Sequence, residues 1–277
     1  MSKQFLVVGS PIDHSKSPAI HRAAYAVLGL DWDYGRLEVA KNDLRQVLDN
    51  APEALCGFSV TAPLKEEASR HAIWRDEFAE VSGAANTLVR VEGGWNAYNT
   101  DVFGIVQALR GIQVQNLERV VIIGSGATAK SAALAVRLLN PEAKLLFVAR
   151  NKETRKELLA FCKGLGLNAK GIRSLAAGIT KADLTISTIP AHALDSEIEN
   201  LSVRKTAGIK GPLLDVAYNP WPSVAAQAWG YANQPVASGL DMLIWQAVAQ
   251  LRIFTTGNPN QELPNEVAVL EAMRHAV

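Results

Sequence analysis

The chain has 277 residues, 48% of them apolar, with a formal net charge of +1. This much apolar material excludes intrinsic disorder and suffices for one large or two modest domains. The balanced charge gives no electrostatic reason to expect a nucleic-acid or membrane-surface partner.

The two cysteines, Cys56 and Cys162, form no CxxC pair and fit a reducing compartment. The apolar run Phe5 to Val8 is too short for a signal segment, and no stretch approaches a membrane span. A soluble cytoplasmic protein without a metal site is expected.

In chain order, Gln4 to Val8 reads as a buried-type strand ending at Gly9. The loop Gly9-Ser10-Pro11-Ile12-Asp13-His14-Ser15-Lys16-Ser17-Pro18 follows, with Ser17 as an N-cap before proline. Ile20, Ala23, Ala24, Val27 and Leu28 then repeat at helical spacing up to Gly29. Ser15 and Ser17 stand near the positive end of that helix, where hydroxyls and backbone N–H groups suit an anion. Capping explains Ser17 but not Ser15. His14 and His21 are read as structural or loop-bracing.

Arg36 to Val39 reads as a strand and Asn42 to Leu48 as a short capped helix. The strand Cys56 to Thr61 runs into Ala62-Pro63-Leu64-Lys65. Pro63 cannot extend a sheet ladder and biases Ala62 toward an extended shape, which fixes Lys65 at the mouth of a turn. A cation beside Ser59 and Thr61 is placed to hydrogen-bond a small polar substrate. A lysine after a strand is more often a solvated surface residue, so the weight comes from its company. A helix is expected over Leu64 to Val81, a turn at Ser82 to Thr87 that includes Asn86, and a strand from Leu88 to Val91. Gly93-Gly94 marks a hairpin tip. Asp101 opens a helix, Val102 to Arg110, either as a bare N-cap or as an acid brought near Lys65.

At Arg119 the pattern changes. Arg119 to Ile123 is a near-continuous apolar strand of the parallel-sheet kind. Gly124-Ser125-Gly126-Ala127-Thr128 opens a helix to about Leu139, and a strand, Lys144 to Val148, comes next. Strand, glycine turn, helix and strand in this order form the context of a dinucleotide fingerprint. The glycines permit a tight turn and close approach to a pyrophosphate facing the helix N-terminus.

At the end of the second strand an NAD site carries an acid for the ribose hydroxyls. Here stand Arg150 and Lys152, with Arg155 further on. Arg150 suits a 2′-phosphate gripped through two hydrogen bonds, so NADP is expected over NAD. The alternative is that all three are ordinary first-turn charges of the helix Lys152 to Lys163. Further buried strands are expected at Leu184 to Thr188, Pro212 to Val216 and Val236 to Ser238. Tyr218 lies in a loop after one of them, the side of an open α/β sheet where ligands bind. Gly239 opens a long helix to about Thr255, with Met242 and Leu243 in the core and Gln246 on either the surface or the site. A last helix covers about Gln261 to His275.

Taken together these pieces resemble the shikimate dehydrogenase family. The resemblance rests on Gly9-Ser10-Pro11, His14-Ser15-Lys16-Ser17-Pro18 and His21. It rests further on Val60-Thr61, Pro63 and Lys65, on Ala85-Asn86-Thr87 and Asn99-Thr100-Asp101, on the turn at Gly124, and on Gly239, Met242-Leu243 and Gln246. It spans nearly the whole chain. It implies an α/β fold of two domains. Residues 1–101, completed by 239–277, would bind substrate, and a Rossmann-like doubly wound domain over 102–238 would bind NADP. Lys65 and Asp101 would be the catalytic pair. Ser15 and Ser17, helped by Tyr218, would hold a carboxylate. Thr61, Asn86, Asp101 and Gln246 would hold ring hydroxyls, with Ser59 beside them. Gly124, Ser125, Gly126, Ala127, Thr128, Arg150, Lys152, Arg155, Thr188 and Gly239 would line the cofactor.

The sequence departs from the family in three places. Ser59 stands where asparagine is frequent, Arg22 follows His21 in place of asparagine or glutamine, and Thr188-Ile189-Pro190 replaces a Ser/Gly-rich loop.

The implied activity is reversible NADP-dependent reduction of 3-dehydroshikimate to shikimate by a monomer or homodimer. Lys65 would give and take the proton, with Asp101 orienting it. Alternatives are a quinate/shikimate or aminoshikimate dehydrogenase, separable by substrate preference, and a ligand sensor without turnover, against which the presence of both Lys65 and Asp101 argues.

Overall fold

The computed structural model describes residues 2–114 and 117–277. The chain divides into two compact units, Met1–Asp101 with Ile244–Val277, and Val102–Leu243. The first opens with strand β1 (Lys3–Gly9), helix α1 (Ser17–Leu28), β2 (Trp32–Glu38), α2 (Leu44–Asp49) and β3 (Leu55–Val60). It continues with α3 (Lys65–His71), β4 (Trp74–Arg75), α4 (Glu77–Ser82), β5 (Thr87–Val91), β6 (Gly94–Tyr98) and the start of α5 (Asp101–Gly111). The sheet order is β2-β1-β3-β5-β6-β4. β1 lies parallel to β2 and β3, while β3–β5 and β5–β6 are antiparallel. Val8, Phe58, Val60, Leu64, Leu88 and Trp95 fill the core on one face.

Several expectations are revised here. The helix read over Leu64 to Val81 is two helices split by β4, because Ile73 N–H donates to Trp95 O and Asp76 N–H to Ala97 O, drawing the segment onto β6. Asp76 then caps α4 by accepting from Ala79 N–H. The second strand begins at Trp32, earlier than Arg36, and buries Tyr34 opposite Phe5. In α1, Val27 is 40% exposed, and the buried stripe runs through Ser17, Ile20, His21, Ala24 and Tyr25. Ser17 does not cap; Ser15 Oγ accepts from Ser17 N–H at 3.3 Å. The start of α2 is held from a distance, by the buried Glu67 carboxylate accepting from Asn42 and Leu44 N–H.

His21 is fully buried, stacked on Tyr34 with ring centroids 4.1 Å apart, and hydrogen-bonded through Nδ1 to Ser17 O. Burial pushes its pKa from 6.5 to about 4. The folded state therefore keeps a neutral ring where the unfolded chain binds a proton, and stability is lost as pH falls from about 6.5 to 4. Unfolding free energy relative to His21→Phe should shrink over that window by up to roughly 3 kcal/mol. Asp76, raised by burial to about 6, slopes the other way but is common to both proteins. A difference that stays constant with pH, measured by denaturant unfolding, contradicts the assignment.

The second unit carries β7 (Arg119–Ile123), α6 (Ala127–Leu139), β8 (Lys144–Val148), α7 (Lys152–Gly164), β9 (Ala169–Gly171), α8 (Leu175–Ile179) and β10 (Leu184–Ser187). α9 (Asp195–Glu199), α10 (Val203–Thr206), β11 (Leu213–Asp215), α11 (Val224–Tyr231) and β12 (Val236–Ser238) complete it. All pairs in the order β12-β11-β10-β7-β8-β9 are parallel. This is the doubly wound architecture, and its central strands are the apolar runs that a sheet covered on both faces demands. Trp229 is fully buried and donates through Nε1 to Gly211 O at 2.9 Å.

Two helices follow, α12 (Gly239–Thr256) and α13 (Glu266–His275). From Ile244 onward they belong to the first unit, where α13 packs on α1. α13 starts later than Gln261 because Glu266 turns back to accept from Leu263 N–H and to take both arms of the buried Arg252.

Candidate active site

In the first unit, the parallel strands β1 and β3 deliver two loops to the same edge of the sheet. Gly9 allows them to touch: a Cβ there would lie 2.4 Å from Thr61 Cγ2 and 2.8 Å from Ala62 O. Ser10 N–H donates to Ala62 O, and Leu64 N–H closes the turn onto Thr61 O. Lys65 is thereby the first residue of α3.

Its Nζ lies 2.5 Å from Asp101 Oδ2, and the two side chains are only 16% and 5% exposed. The other carboxylate oxygen, Oδ1, accepts from Asn86 Nδ2 at 2.9 Å. The same amide faces Gln246 Oε1 at 3.0 Å. Asp101 is thus no bare cap, and its backbone N–H donates to Asn99 Oδ1. Gln246 is buried. Lys65, Asn86, Asp101 and Gln246 form one contiguous cluster drawn from four separate segments.

Ser15 and Ser17 stand together at the start of α1, half-buried and buried, and Thr61 is half-buried in the β3 turn. Ser59 is buried and bonded within the protein. Its hydroxyl accepts from Tyr34 Oη at 2.5 Å and donates to Gln250 Oε1 at 2.8 Å. Burial raises the Tyr34 phenol, against hydrogen bonds with Ser59 and Ser17. Tyr34, Thr87, Thr100 and Gln250 add to the site residues to which the sequence points. The available signal was the four-residue spacing of Gln246 and Gln250, which puts both on one face of α12.

In the second unit, Gly124 has φ +120°, and a Cβ there would lie 2.3 Å from Thr188 Oγ1. Thr188 donates that hydroxyl to Ile123 O, so it braces the turn. Gly126 is the N-cap of α6, followed by Ala127 and Thr128 in its first turn. Ser125 Oγ lies 2.7 Å from Thr154 Oγ1, tying the glycine turn to α7. At the end of β8, Arg150 and Lys152 are exposed, while Asn151 caps α7. Arg155 differs from them: its Nη1 donates to Ala149 O and its side chain lies against Gly171. Tyr218 is half-buried in the loop after β11, which Asp215 holds by accepting from Ala217 N–H and Ser223 Oγ. Gly239 serves a backbone contact, since a Cβ there would sit 1.9 Å from Val216 O.

A parallel sheet with a glycine-turn crossover and a buried lysine–carboxylate pair define a two-unit α/β protein of the dinucleotide-dependent dehydrogenase class. Residues 7–88 match the shikimate dehydrogenase substrate binding domain. The shikimate dehydrogenase (NADP(+)) of Methanosarcina acetivorans is 31% identical over 99% of this chain and 100% of its own length. The solved shikimate dehydrogenase of Mycobacterium tuberculosis is 37% identical, with a TM-score of 0.84 over 99% of this chain and 100% of that one. The Thermus thermophilus enzyme, solved in complex with NADP(H) and shikimate, is 27% identical, with a TM-score of 0.82 over 99% of this chain and 100% of that one. The chain belongs to the shikimate dehydrogenase family.

Among the described residues, no helix is long and apolar enough to cross a membrane.

Proposed function

We propose that this chain is an NADP-dependent shikimate dehydrogenase, reversibly reducing 3-dehydroshikimate to shikimate in aromatic amino acid biosynthesis. The observation that carries the reading is the Lys65–Asp101 pair at 2.5 Å, held by Asn86, in a chain whose relatives bear that name over their whole length. The first unit is read as the substrate-binding catalytic domain and the second as the dinucleotide-binding domain. The enzyme is read as cytoplasmic, a monomer or homodimer, acting on a small molecule without nucleic acid or membrane.

Reduction of a ring ketone leaves an alkoxide that needs a proton. Lys65 Nζ donates it and takes it back in the reverse direction. Asp101 holds the ammonium in a single orientation, and Asn86 holds Asp101. Thr61, Asn86, Asp101 and Gln246 are assigned to the ring hydroxyls, and Ser15, Ser17 and Tyr218 to the carboxylate. The residues present fit NADP. The Gly124 turn opens the α6 N-terminus toward a pyrophosphate, and the end of β8 carries exposed Arg150 and Lys152 with no acid for a ribose 2′-hydroxyl. Bound as NADPH, the cofactor would supply the hydride.

A spectrophotometric assay of shikimate and quinate with each nicotinamide cofactor tests the reading. Shikimate with NADP+ should give the highest kcat/KM. Preference for quinate would favour a quinate/shikimate enzyme, and no turnover at all a sensor. Arg150→Ala should raise the KM for NADP+ by about tenfold to a hundredfold, the loss of a charge-assisted hydrogen bond. The KM for NAD+ should not change. An equal rise for both cofactors contradicts the 2′-phosphate assignment.

A further inference from the structure

A chain of buried hydrogen bonds runs behind the Lys65–Asp101 pair. Gln250 lies at its centre and is 1% exposed. Its Nε2 donates to Asn86 O at 3.0 Å and to Thr87 Oγ1 at 3.0 Å. Its Oε1 accepts from Ser59 Oγ at 2.8 Å.

Two backbone groups fix the direction of every bond. The Asn86 carbonyl can only accept, so it takes the Gln250 NH2 and leaves Oε1 facing Ser59. Ser59 must then donate to Gln250 and accept from Tyr34 Oη. Thr87 Oγ1 accepts from Gln250, and so donates onward to Asn86 Oδ1 at 2.9 Å. The Thr100 N–H independently donates to Asn86 Oδ1 at 2.8 Å, so Asn86 must present Nδ2 to Asp101. The bonds linking Tyr34, Ser59, Gln250, Thr87, Asn86, Asp101 and Lys65 thus run in one consistent sense.

We propose that Gln250 is a positioning residue for the Lys65–Asp101 pair, acting through Thr87 and the backbone and side chain of Asn86. The inference rests on the proposed dehydrogenase activity. It adds that the carboxylate orienting Lys65 is held indirectly, through Thr87 and Asn86, by an amide on α12. Buried networks of this kind are sensitive to the loss of one member, because the remaining polar groups have no water to turn to.

Gln250→Met keeps the side-chain volume and removes the bonds. Its kcat should fall by about tenfold, on the scale of one buried polar group left unmatched. The KM for NADP+ should stay within about twofold. In an Asn86→Ala background the same substitution should change kcat by less than about twofold, since residues acting through one another are not additive. A near-normal kcat in Gln250→Met, or an undiminished tenfold loss in the Asn86→Ala background, overturns the proposal.

If Gln250→Met does not fold, Ser59→Ala decides by the same criteria, since it leaves Gln250 Oε1 without its donor. A crystal structure of the folded variant supplies a readout independent of turnover. The Asn86 Nδ2 to Asp101 Oδ1 distance should open beyond about 3.5 Å. An unchanged distance sinks the positioning role. A wild-type protein that fails to oxidise shikimate sinks the functional reading, while the crystallographic comparison still decides the role of Gln250.

Discussion

Lys65→Ala is expected to lower kcat for shikimate oxidation by about a thousandfold, the middle of the range for losing a general acid–base group. Shikimate binding should remain measurable by calorimetry, because Asn86, Gln246, Ser15 and Ser17 keep their places. The physical basis is the environment of the ammonium. Its side chain is 16% exposed and is fixed 2.5 Å from a carboxylate that is itself held by an amide. Water can replace such a proton donor but not its orientation. The substitution leaves the Asp101 carboxylate without its cation, and some loss of thermal stability accompanies the kinetic defect. Unchanged NADP+ affinity separates the two, since the glycine turn and Arg150 belong to the other unit. A near-normal kcat removes Lys65 from the mechanism.

Gly239→Ala should destabilise the fold by about 3 kcal/mol or more, at the upper end of overpacking costs. In thermal unfolding this corresponds to a Tm drop of roughly 6–12 °C for a chain of this size. The new Cβ would lie 1.9 Å from Val216 O and 2.3 Å from Val216 C. Both atoms are backbone, at the point where β11 gives way to its loop, so no side-chain rotation relieves the clash. Gly126→Ala is the matched comparison, because a Cβ there meets nothing within 4 Å. Equal Tm values for the two variants would show that Gly239 is not held by close packing. The expected contrast assigns Gly239 a structural duty in the close backbone contact with Val216.

The parallel sheet was the most legible part of the fold. Arg119–Ile123, Lys144–Val148 and Val236–Ser238 are strands at the residues their apolar runs predict. Burial on both faces leaves no polar alternation to confuse with a helix. No sequence pattern marks β9, because Ala169–Gly171 is short and half solvated at the sheet edge. None marks β4 either, because Trp74 and Arg75 are extended only by their bonds to β6. A helical pattern on both sides conceals such a break.

The residue types of the site were legible for the same local reason: a lysine after a strand-ending proline, an acid opening a helix, glycines between strand and helix. These establish which chemistry the chain carries, because turn geometry and charge are properties of neighbouring residues. Their partners are another matter. Asn86 meets Gln246 across 160 residues and Ser59 meets Gln250 across 191. No periodicity encodes such a meeting, since it arises only when α12 returns to the first unit. Whether Ser59 faces ligand or core, and which amide steadies Asp101, are decided by that return, because a buried hydroxyl must find its donor and acceptor wherever the packed chain supplies them.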